Sequence, residues 1–573
     1  MPKIMGHQAE QIPVDLRKAT GSHYTPLHLA EFVADKIVVA YAKAPKQRAP
    51  LRVLDPAVGD GILLLCLLRR LVSEGFSKIE VTGYDTNAVA IQRTADLVKD
   101  EFPAVKCSLH ATDFLEIFLN MEQDDLFQTA QEFDLVIANP PYVRTQVLGA
   151  ERAQRIAERF GLSGRVDLAY PFIKGMARAL APNGVAGVIT SNRFMTTKAG
   201  ASIREHLQTS VDVLHVWDMG DTKLFEAAVL PAVILFERKG EKPARPPKFT
   251  SVYLSKSETP TAHAGTHLRA LELEGVVGLP DGTRCIVRHG KLNLGSSSSD
   301  VWRIGSNESD AWLSTVNAHT SLTFGDIGKV KVGVKTTADK VFIRSDWNEM
   351  PAEDLPELLR PLTTHHFATR WRTHRPPQAP QILYPHTVLN GKRGVVRLVD
   401  YPRAARYLRT HREQLEGRAY VIEAGREWYE IWVPHDPEVW ERPKLVFRDI
   451  SERPTFWVDL DGSVVNGDCY WLTSGPAEED QLWLALAVAN STFIETFYDV
   501  RFNNKLYSSR RRFMTQYVEQ FPLPDPKTPL AKRIVELAKR IYRTDSLRIA
   551  ELEQEADASV WKAFGLRLEE APR

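Results

Sequence analysis

The sequence contains few cysteines and no excess of charge of either sign. Four of its 573 residues are cysteine, and no two of them form a CxxC pair. This argues against a zinc ribbon or a disulfide framework and predicts reduced thiols in a cytoplasmic protein. Lys and Arg together number 73, and Asp and Glu 72, so net charge neither supports nor excludes a nucleic-acid partner.

The sequence also has no long hydrophobic run. No stretch approaches the roughly 20 apolar residues that a membrane span needs. The longest apolar run, GILLLCLLRRLV (61–72), includes two arginines and predicts a buried helix. With 43% hydrophobic and 25% charged residues, the composition is that of a globular protein. A length of 573 residues predicts two or three domains.

Short apolar runs alternate with helical patterns through the first 240 residues. Strands are predicted at 51–55, 79–85, 106–113, 133–139, 184–190, 211–217 and 231–237. This alternation is typical of an α/β fold with a Rossmann-like, parallel sheet and helices on both faces. Ligands of such sheets bind beyond the carboxyl ends of the strands, so the chemistry is expected there.

The composition and the pattern of predicted elements change after the seventh predicted strand. The segment ERKGEKPARPPKF (237–249) is rich in charge and proline and predicts a linker. Scattered β-type segments follow without a βαβ rhythm, and the end of the chain returns to an amphipathic helical pattern. We therefore expect a first domain over 1–240, a mixed α+β domain over 250–525 and a helical segment over 527–573.

Glycines and acids follow three consecutive predicted strands. In LDPAVGDGILL (54–64), Gly59 permits a tight turn, and the next helix directs its amides toward the same place. Asp85 ends the second strand, where a carboxylate can accept hydrogen bonds from both hydroxyls of a ribose. At the end of the third strand, the Asp113 carboxylate can accept a hydrogen bond from an exocyclic amine, and the ring of Phe114 can stack on a purine. These residues predict a nucleoside site.

Two further features bear on that site. Asp55, at the end of the first strand, places a negative charge where a sulfonium or amino group would be favoured. Upstream, GSHYTP (21–26) precedes a predicted helix over 27–43. Thr25 either caps that helix, with Pro26 at its first position, or covers the ligand together with Tyr24. The sequence leaves these two roles open.

The fourth predicted strand runs into Asn139-Pro140-Pro141-Tyr142. The exocyclic nitrogen of adenine is conjugated with the ring, so its lone pair is poorly available for attack. The Asn139 side-chain carbonyl and the Pro140 backbone carbonyl could accept its two hydrogens, and the prolines would hold that corner rigid. Tyr142 offers a flat face for stacking. The segment predicts a clamp for a planar amino group, with an ordinary Asn-Pro turn as the alternative.

The segments GSHYTP, VLDPAVGDG, GYD, ATDF and ANPPY, in this order, resemble those of the gamma-class DNA adenine-N6 methyltransferases, the stand-alone methylases of type II restriction–modification systems. The resemblance is strong over the first 240 residues. Beyond them, GVKTTADKVFI, ILYPH and YLRTHREQLEGR look like parts of that family's target-recognition domain. The resemblance implies a methyltransferase sheet, S-adenosylmethionine as methyl donor and a flipped adenine in double-stranded DNA. It also implies a bacterial or archaeal host and a cognate endonuclease that acts separately.

Carried onto this sequence residue by residue, the resemblance assigns two sets of side chains. S-adenosylmethionine would be held by Tyr24, Thr25, Asp55, Pro56, Ala57, Gly59, Asp85, Asp113 and Phe114. The flipped adenine would be held by Asn139, Pro140, Pro141, Tyr142 and Phe225. For Phe225, ordinary core packing is the alternative. No metal site is predicted.

A basic segment near the end of the chain predicts contact with DNA phosphates. It spans 501–520, and its basic residues are Arg501, Lys505, Arg510, Arg511 and Arg512. They face a single acid within the segment, Glu519, and a solvated helix face is the alternative. A second basic stretch, HHFATRWRTHR (365–375), is left undecided by the sequence.

Two other functions compete with DNA methylation. NPPY clamps also serve methyltransferases that act on RNA or on a protein glutamine, and a DNA-binding restriction subunit could retain the fold without catalysis. About 330 residues follow the predicted sheet, which favours a DNA-reading half. The intact NPPY segment favours catalysis.

Overall fold

The computed structural model forms two compact units, one ending at Ser306 and the other starting at Asn307. The residues that it describes are 25–42, 49–120, 132–143, 145–162, 167–222, 230–240, 246–255, 259–295, 297, 300–367, 369–389, 391–475, 478–502, 510–544 and 549–572.

The first unit is built on a twelve-stranded sheet. Its strands are β1 (Leu51–Asp55), β2 (Ile79–Tyr84), β3 (Lys106–His110), β4 (Phe133–Ala138), β5 (Leu180–Ser191), β6 (Val211–Asp218), β7 (Pro231–Arg238), β8 (Lys248–Ser255), β9 (Ala262–His263), β10 (Gly275–Gly278), β11 (Arg284–Asn293) and β12 (Arg303–Gly305). The α-helices described in this unit are α1 (Leu27–Tyr41), α2 (Ile62–Ser73), α3 (Ala88–Glu101), α4 (Phe114–Leu119), α5 (Ala150–Phe160), α6 (Ala169–Ala179), α7 (Arg193–Thr196), α8 (Ala201–Ser210) and α9 (His267–Ala270).

The strand order is β3-β2-β1-β4-β5-β7-β6-β8-β11-β10-β9, with β12 paired to β11. Strands β1 to β5 are parallel where they pair, and β7 runs antiparallel between β5 and β6. All six residues of β4 are buried, because a central parallel strand is covered on both faces. The prediction of a Rossmann-like α/β sheet is therefore confirmed for its parallel core, whereas the sheet as a whole is mixed because β7 and several later strands pair antiparallel.

Two hydrophobic cores lie on opposite faces of this sheet. Successive side chains of a strand point to opposite faces, and accordingly Val53 belongs to one core and Leu54 to the other. The first core includes α1 and α2, and the second includes α4, α5, α6 and α8. Helices cover both faces, as predicted.

The linker predicted at 237–249 lies inside the first unit rather than at its end. On one side of it, β7 pairs with β6; on the other, β8 pairs in parallel with the opposite edge of β6. Main-chain hydrogen bonds thus continue the sheet beyond the charged, proline-rich segment. The first unit consequently extends to Ser306 and takes in strands that the sequence assigns to the second domain.

The second unit contains several small, mainly antiparallel sheets. Its strands are β13 (Leu322–Thr323), β14 (Lys331–Val332), β15 (Ile343–Arg344), β16 (Leu359–Thr363), β17 (Gln381–Leu383), β18 (His386–Leu389), β19 (Lys392–Val395), β20 (Lys444–Arg448), β21 (Ile450–Ser451), β22 (Phe456–Asp459), β23 (Val464–Val465), β24 (Cys469–Leu472), β25 (Arg511–Arg512) and β26 (Pro522–Leu523). Its described α-helices are α10 (Asn307–Ala318), α11 (Phe324–Ile327), α12 (Asp339–Phe342), α13 (Pro402–Thr410), α14 (Arg412–Glu416), α15 (Ala419–Glu423), α16 (Glu479–Ala489), α17 (Thr492–Phe502), α18 (Thr515–Val518), α19 (Pro529–Arg543) and α20 (Ile549–Ala563).

The C-terminal helices belong to this second unit rather than forming a segment of their own. Lys539 of α19 forms an ion pair with Asp480 of α16 at 2.6 Å, and Trp561 of α20 donates its indole N–H to the Thr492 hydroxyl at 2.8 Å. Thr492 in turn donates to Asp557 at 2.7 Å. Of the helices in the described parts of both units, none is long and apolar enough to cross a membrane.

Candidate active site

The carboxyl ends of β1, β2 and β4 meet at one edge of the sheet. Asp55 is paired with Gly83 of β2, and the preceding Leu54 is paired with Val136 of β4. Asp85 and Asn139 follow directly after β2 and β4. Strand register therefore brings together the residues that the sequence places at separate strand ends.

The turn between β1 and α2 is held by the acid that follows β2. The Gly59 amide donates to Asp85 Oδ2 at 2.8 Å, and the Val58 amide donates to the Tyr84 carbonyl at 3.0 Å. Gly59 has φ of +53°, and a Cβ built there would meet no described atom within 4 Å. The turn thus presents main chain to open space, and a side chain at this position would occupy the room that a ligand could fill.

Asp55 is completely buried at the base of this turn. Its Oδ1 accepts from the Ala57 amide at 3.0 Å, whereas Oδ2 accepts no hydrogen bond from any described residue. Burial raises the pKa of the carboxyl to about 8; the Ala57 amide opposes the shift, and the charges of Asp85 and Asp60 add to it. A buried carboxylate oxygen without a donor is costly, and a cationic ligand would relieve that cost.

The residues at the end of β3 serve the protein core as well as this edge. Asp113 caps α4 by accepting from the Leu115 amide at 2.8 Å, and its second oxygen pairs with Arg152 of α5. Burial is the main cause of its raised pKa. The ring of Phe114 is 3% exposed and packs 5.3 Å from Phe118. The structure therefore places the predicted purine-stacking ring in an aromatic core cluster.

The side chain of Asn139 is oriented from two sides. Its Nδ2 donates to the Thr25 hydroxyl at 3.0 Å, and its Oδ1 accepts from the Tyr142 hydroxyl at 2.7 Å. Pro140 is buried, whereas Asn139, Pro141 and Tyr142 are partly exposed. The corner after β4 is thus a braced group at the surface of the first unit.

Thr25 does not cap the helix that follows it. The carbonyl of Pro26 accepts from the amides of Leu29 and Ala30 at 3.0 Å, and within the described residues no side chain caps α1. The capping role is wrong because the Thr25 hydroxyl instead contacts Asn139, 114 positions along the chain. Tyr24 and Phe225, the other predicted site residues near these segments, lie outside the described residues.

Asp167 is a neighbour of the clamp that the sequence analysis missed. Burial and the charge of Asp167 raise the pKa of the Tyr142 phenol well above its ordinary value. Asp167 accepts from the Ala169 amide at 3.0 Å as α6 begins, and the Leu168 amide donates to the Val143 carbonyl at 2.8 Å. An acid directly before the apolar helix pattern LAYPFI was the available signal.

Two arginines of the basic segment form ion pairs with acids of the second unit. Arg511 forms a two-pronged ion pair with Asp499, both contacts being 2.8 Å, and Arg512 does the same with Asp449 at 3.2 Å. Both acids lie outside the segment 501–520, Asp499 within α17 and Asp449 between β20 and β21, so Glu519 is not the only acid that its arginines meet. The partners of these arginines therefore include protein carboxylates as well as any DNA phosphate.

The other predicted DNA contacts differ in exposure. Arg510 is exposed, and Arg501 is partly buried at the end of α17. Lys505 lies outside the described residues. In the second basic stretch, Arg370 is 3.5 Å from Glu553 of α20, and Arg372 donates to the Tyr542 carbonyl at 3.4 Å. These two arginines therefore hold the C-terminal helices.

Two protein-family models match this chain, one in each of its two units. Residues 64–225 match the Eco57I restriction-modification methylase family, and residues 386–523 match the TaqI-like C-terminal specificity domain. The type II methyltransferase M.BanIII of Aneurinibacillus aneurinilyticus is 38% identical over 96% of this chain and 98% of its own length. The type II methyltransferase M.PaeR7I of Pseudomonas aeruginosa is 25% identical over 96% of this chain and 93% of its own.

Two solved structures share the fold at low sequence identity. The type IIL restriction-modification enzyme MmeI, solved in complex with DNA, gives a TM-score of 0.62 at 16% identity, covering 97% of this chain and 78% of that one. The DrdV–DNA complex, solved by cryoEM, gives 0.52 at 11% identity, covering 92% and 57%. The relatives above and the two matching family models show that the chain belongs to the Eco57I/TaqI-like family of type II restriction–modification DNA methyltransferases, whose TaqI-like members methylate adenine at N6.

Proposed function

We propose that this protein methylates N6 of an adenine flipped out of duplex DNA, and that Asn139, Pro140, Pro141 and Tyr142 form the clamp. The observation that carries the proposal is the two-sided bracing of Asn139 by Thr25 and Tyr142. An amide fixed in this way presents its carbonyl oxygen in one direction, which is what positioning of a planar amino group needs.

The chain's acids and glycine turn fit S-adenosylmethionine. When bound, this cofactor supplies the methyl group that is transferred. The unsatisfied buried oxygen of Asp55 suits its positive charge, and the open space at Gly59 admits a ligand against the main chain. Asp85 receives the Gly59 and Asn87 amides, both at 2.8 Å, which fixes its carboxylate for ribose hydroxyls. The proposed set is completed by Tyr24, Thr25, Pro56, Ala57, Asp113 and Phe114.

The clamp works by placement and electrostatics rather than by a base. Asn139 Oδ1 and the Pro140 carbonyl would accept the two N6 hydrogens and stabilise positive charge as it develops on nitrogen. Because the pKa of the Tyr142 phenol is raised, its hydroxyl stays protonated and donates, so it does not serve as a base. After methyl transfer, the N6 proton would pass to water, with the Asn139 and Pro140 carbonyls holding it by hydrogen bonds until it leaves.

Entry of the target base changes one contact of the clamp. The Tyr142 hydroxyl already donates to Asn139 Oδ1, the oxygen that an N6 hydrogen would approach. Carbonyl oxygens accept two hydrogen bonds, so the hydroxyl either shares this oxygen or yields it to the base. The aromatic face of Tyr142 would then stack on the adenine, which offsets the few kcal/mol that base flipping costs. Phe225 is proposed as the second stacking ring.

DNA phosphates are proposed to meet the basic segment of the second unit. Arg510 is the exposed member among its described arginines, and Arg501 and Lys505 complete the proposed contact set. Arg511 and Arg512, predicted as contacts from the sequence, are instead proposed to hold β25 in place, since Arg511 pairs with Asp499 of α17 and Arg512 with Asp449 between β20 and β21.

The test is transfer of labelled methyl from S-adenosylmethionine to duplex DNA, single-stranded RNA and protein, followed by nucleoside analysis. N6-methyladenine in the duplex is the expected product. Labelling of RNA or protein without labelling of DNA would refute the proposal.

The clamp is tested by Asn139→Ala. Transfer should be nearly abolished while calorimetric binding of S-adenosylmethionine persists. The matched control is Asn317→Ala, which alters an exposed asparagine on α10 and should leave both properties unchanged. Normal turnover in the Asn139 variant would remove the clamp from the mechanism.

A further inference from the structure

Two histidines and an aspartate converge in the second unit, on segments that sequence analysis did not connect. His365 and His366 follow β16, and Asp468 directly precedes β24. Strand β16 pairs in parallel with β23, and the Asn466 amide extends this pairing by donating to the Thr363 carbonyl at 2.9 Å. The chain therefore leaves both strands side by side, which brings residues 103 positions apart into contact.

The three side chains form a compact donor set. One nitrogen from each imidazole and one carboxylate oxygen all lie within 4.8 Å of one another. The His365 and His366 ring centroids are 3.8 Å apart, and His365 Nδ1 is hydrogen-bonded to Asp468 Oδ2. The exposed fractions of the His365 and Asp468 side chains are 40% and 28%, so the group is open to small ions.

An ordinary ion pair accounts for only part of this arrangement. The His365–Asp468 contact uses one imidazole and one carboxylate oxygen. It leaves His366 crowded against a second imidazole, and it leaves Asp468 Oδ1 buried with no hydrogen bond from the part of the chain that the structure describes. Two adjacent imidazoles and an unsatisfied carboxylate have a common partner in a metal cation.

We propose that His365, His366 and Asp468 bind a divalent transition-metal ion, with Zn²⁺ as the best match. Imidazole nitrogen and carboxylate oxygen are zinc donors at about 2.0–2.2 Å, and tetrahedral ligands then lie about 3.4 Å apart. The observed limit of 4.8 Å requires only a small contraction. Three protein ligands leave the fourth position to water. The ion would fasten the segment after β16 to the segment before β24 and so stabilise the second unit.

The proposal is tested on the full-length chain purified without a histidine tag and stripped with a chelator. Titration with zinc chloride in a calorimeter should give one ion per chain, and zinc should raise the thermal unfolding midpoint. His366→Ala is the most informative variant, because it removes a ligand and leaves the His365–Asp468 hydrogen bond in place. We expect its zinc affinity to fall at least about tenfold, with an unchanged unfolding midpoint in the absence of metal.

His374→Ala is the matched control, since His374 is an exposed histidine of the same stretch outside the donor set. Its zinc binding should equal that of the unaltered chain. The proposal is overturned if the unaltered chain binds no zinc, or if His366→Ala and Asp468→Asn bind it as tightly as His374→Ala. Cobalt substitution gives a second readout: a tetrahedral visible spectrum supports the donor set, and a thiolate charge-transfer band, which would place Cys469 on the ion, contradicts it.

Discussion

Replacing Asp55 with asparagine should stabilise the ligand-free protein, and more so as the pH rises. Asparagine keeps the size of the side chain and an oxygen for the Ala57 amide, which Asp55 Oδ1 receives at 3.0 Å. It removes the ionisation that burial opposes. Because burial raises the folded-state pKa from 3.8 to about 8, the folded chain is protonated here while the unfolded chain is ionised.

The sign and the slope follow from proton linkage. Between these two pKa values the folded state binds one more proton at Asp55, so the free energy of unfolding falls as the pH rises. Each pH unit is worth about 1.4 kcal/mol, so the unaltered protein should lose about 3 kcal/mol relative to Asp55→Asn between pH 5 and pH 7. Above about pH 8 the difference should become constant.

Urea unfolding of both proteins from pH 5 to pH 9 measures this difference, and titration of other groups cancels in the comparison. A stability difference that does not change with pH would refute the assignment of a buried, protonated carboxyl. When S-adenosylmethionine is bound, Asp55 should be ionised rather than protonated, because the positive charge of the ligand favours the carboxylate. Its affinity should therefore rise with pH toward 8, with proton release seen in buffers of different ionisation enthalpy, and Asp55→Asn should bind it more weakly.

Substitutions at four further positions separate the roles of individual side chains. Thr25→Val removes the acceptor for Asn139 Nδ2, which is worth about 1–3 kcal/mol, so kcat should fall about 5- to 150-fold while Thr25→Ser stays near the original rate; equal rates in these two variants would contradict the bracing role. Tyr142→Phe keeps the ring but loses the hydrogen bond to Asn139, so its transfer activity should fall less than that of Tyr142→Ala, which also loses stacking worth about 1–3 kcal/mol; an equal loss in both variants would assign the function to the hydroxyl. Arg510→Ala should lower DNA affinity and reduce the salt slope by about one phosphate contact, as fluorescence anisotropy would show. Arg511→Ala should instead lower the free energy of unfolding by about 1–3 kcal/mol because Asp499 loses its partner; an unchanged urea midpoint would return Arg511 to the set of DNA contacts.

Much of the first unit was predictable because its central strands are covered on both faces. Such strands appear as unbroken apolar runs, and the predicted strand 133–139 is observed as Phe133–Ala138. The strand-end residues Asp55, Asp85 and Asn139 met as expected, since parallel strands end at a common edge. The limit of the unit was not predictable in this way, because β8 joins the sheet through non-local pairing with β6.

The contacts that sequence reasoning missed join residues far apart in the chain. Thr25 had an adequate local role as a helix cap, and nothing in the sequence indicated that it would contact Asn139. Arg512 was judged against the acids of its own segment, whereas its partner Asp449 lies 63 positions away. Asp468 was likewise unconnected with the two histidines. Local patterns predict elements, but ion pairs and metal ligands depend on which loops the tertiary fold places together.

The long sheet of the first unit has consequences for association between copies of the chain. As described, it terminates at β3 on one side and at β9 on the other, and β9 is only the two-residue bridge Ala262–His263. At the β3 border, Lys106 is exposed. A border this short, or one carrying a lysine, is a poor template for another backbone. A sheet of twelve strands can therefore exist at high concentration with little tendency to polymerise edge to edge.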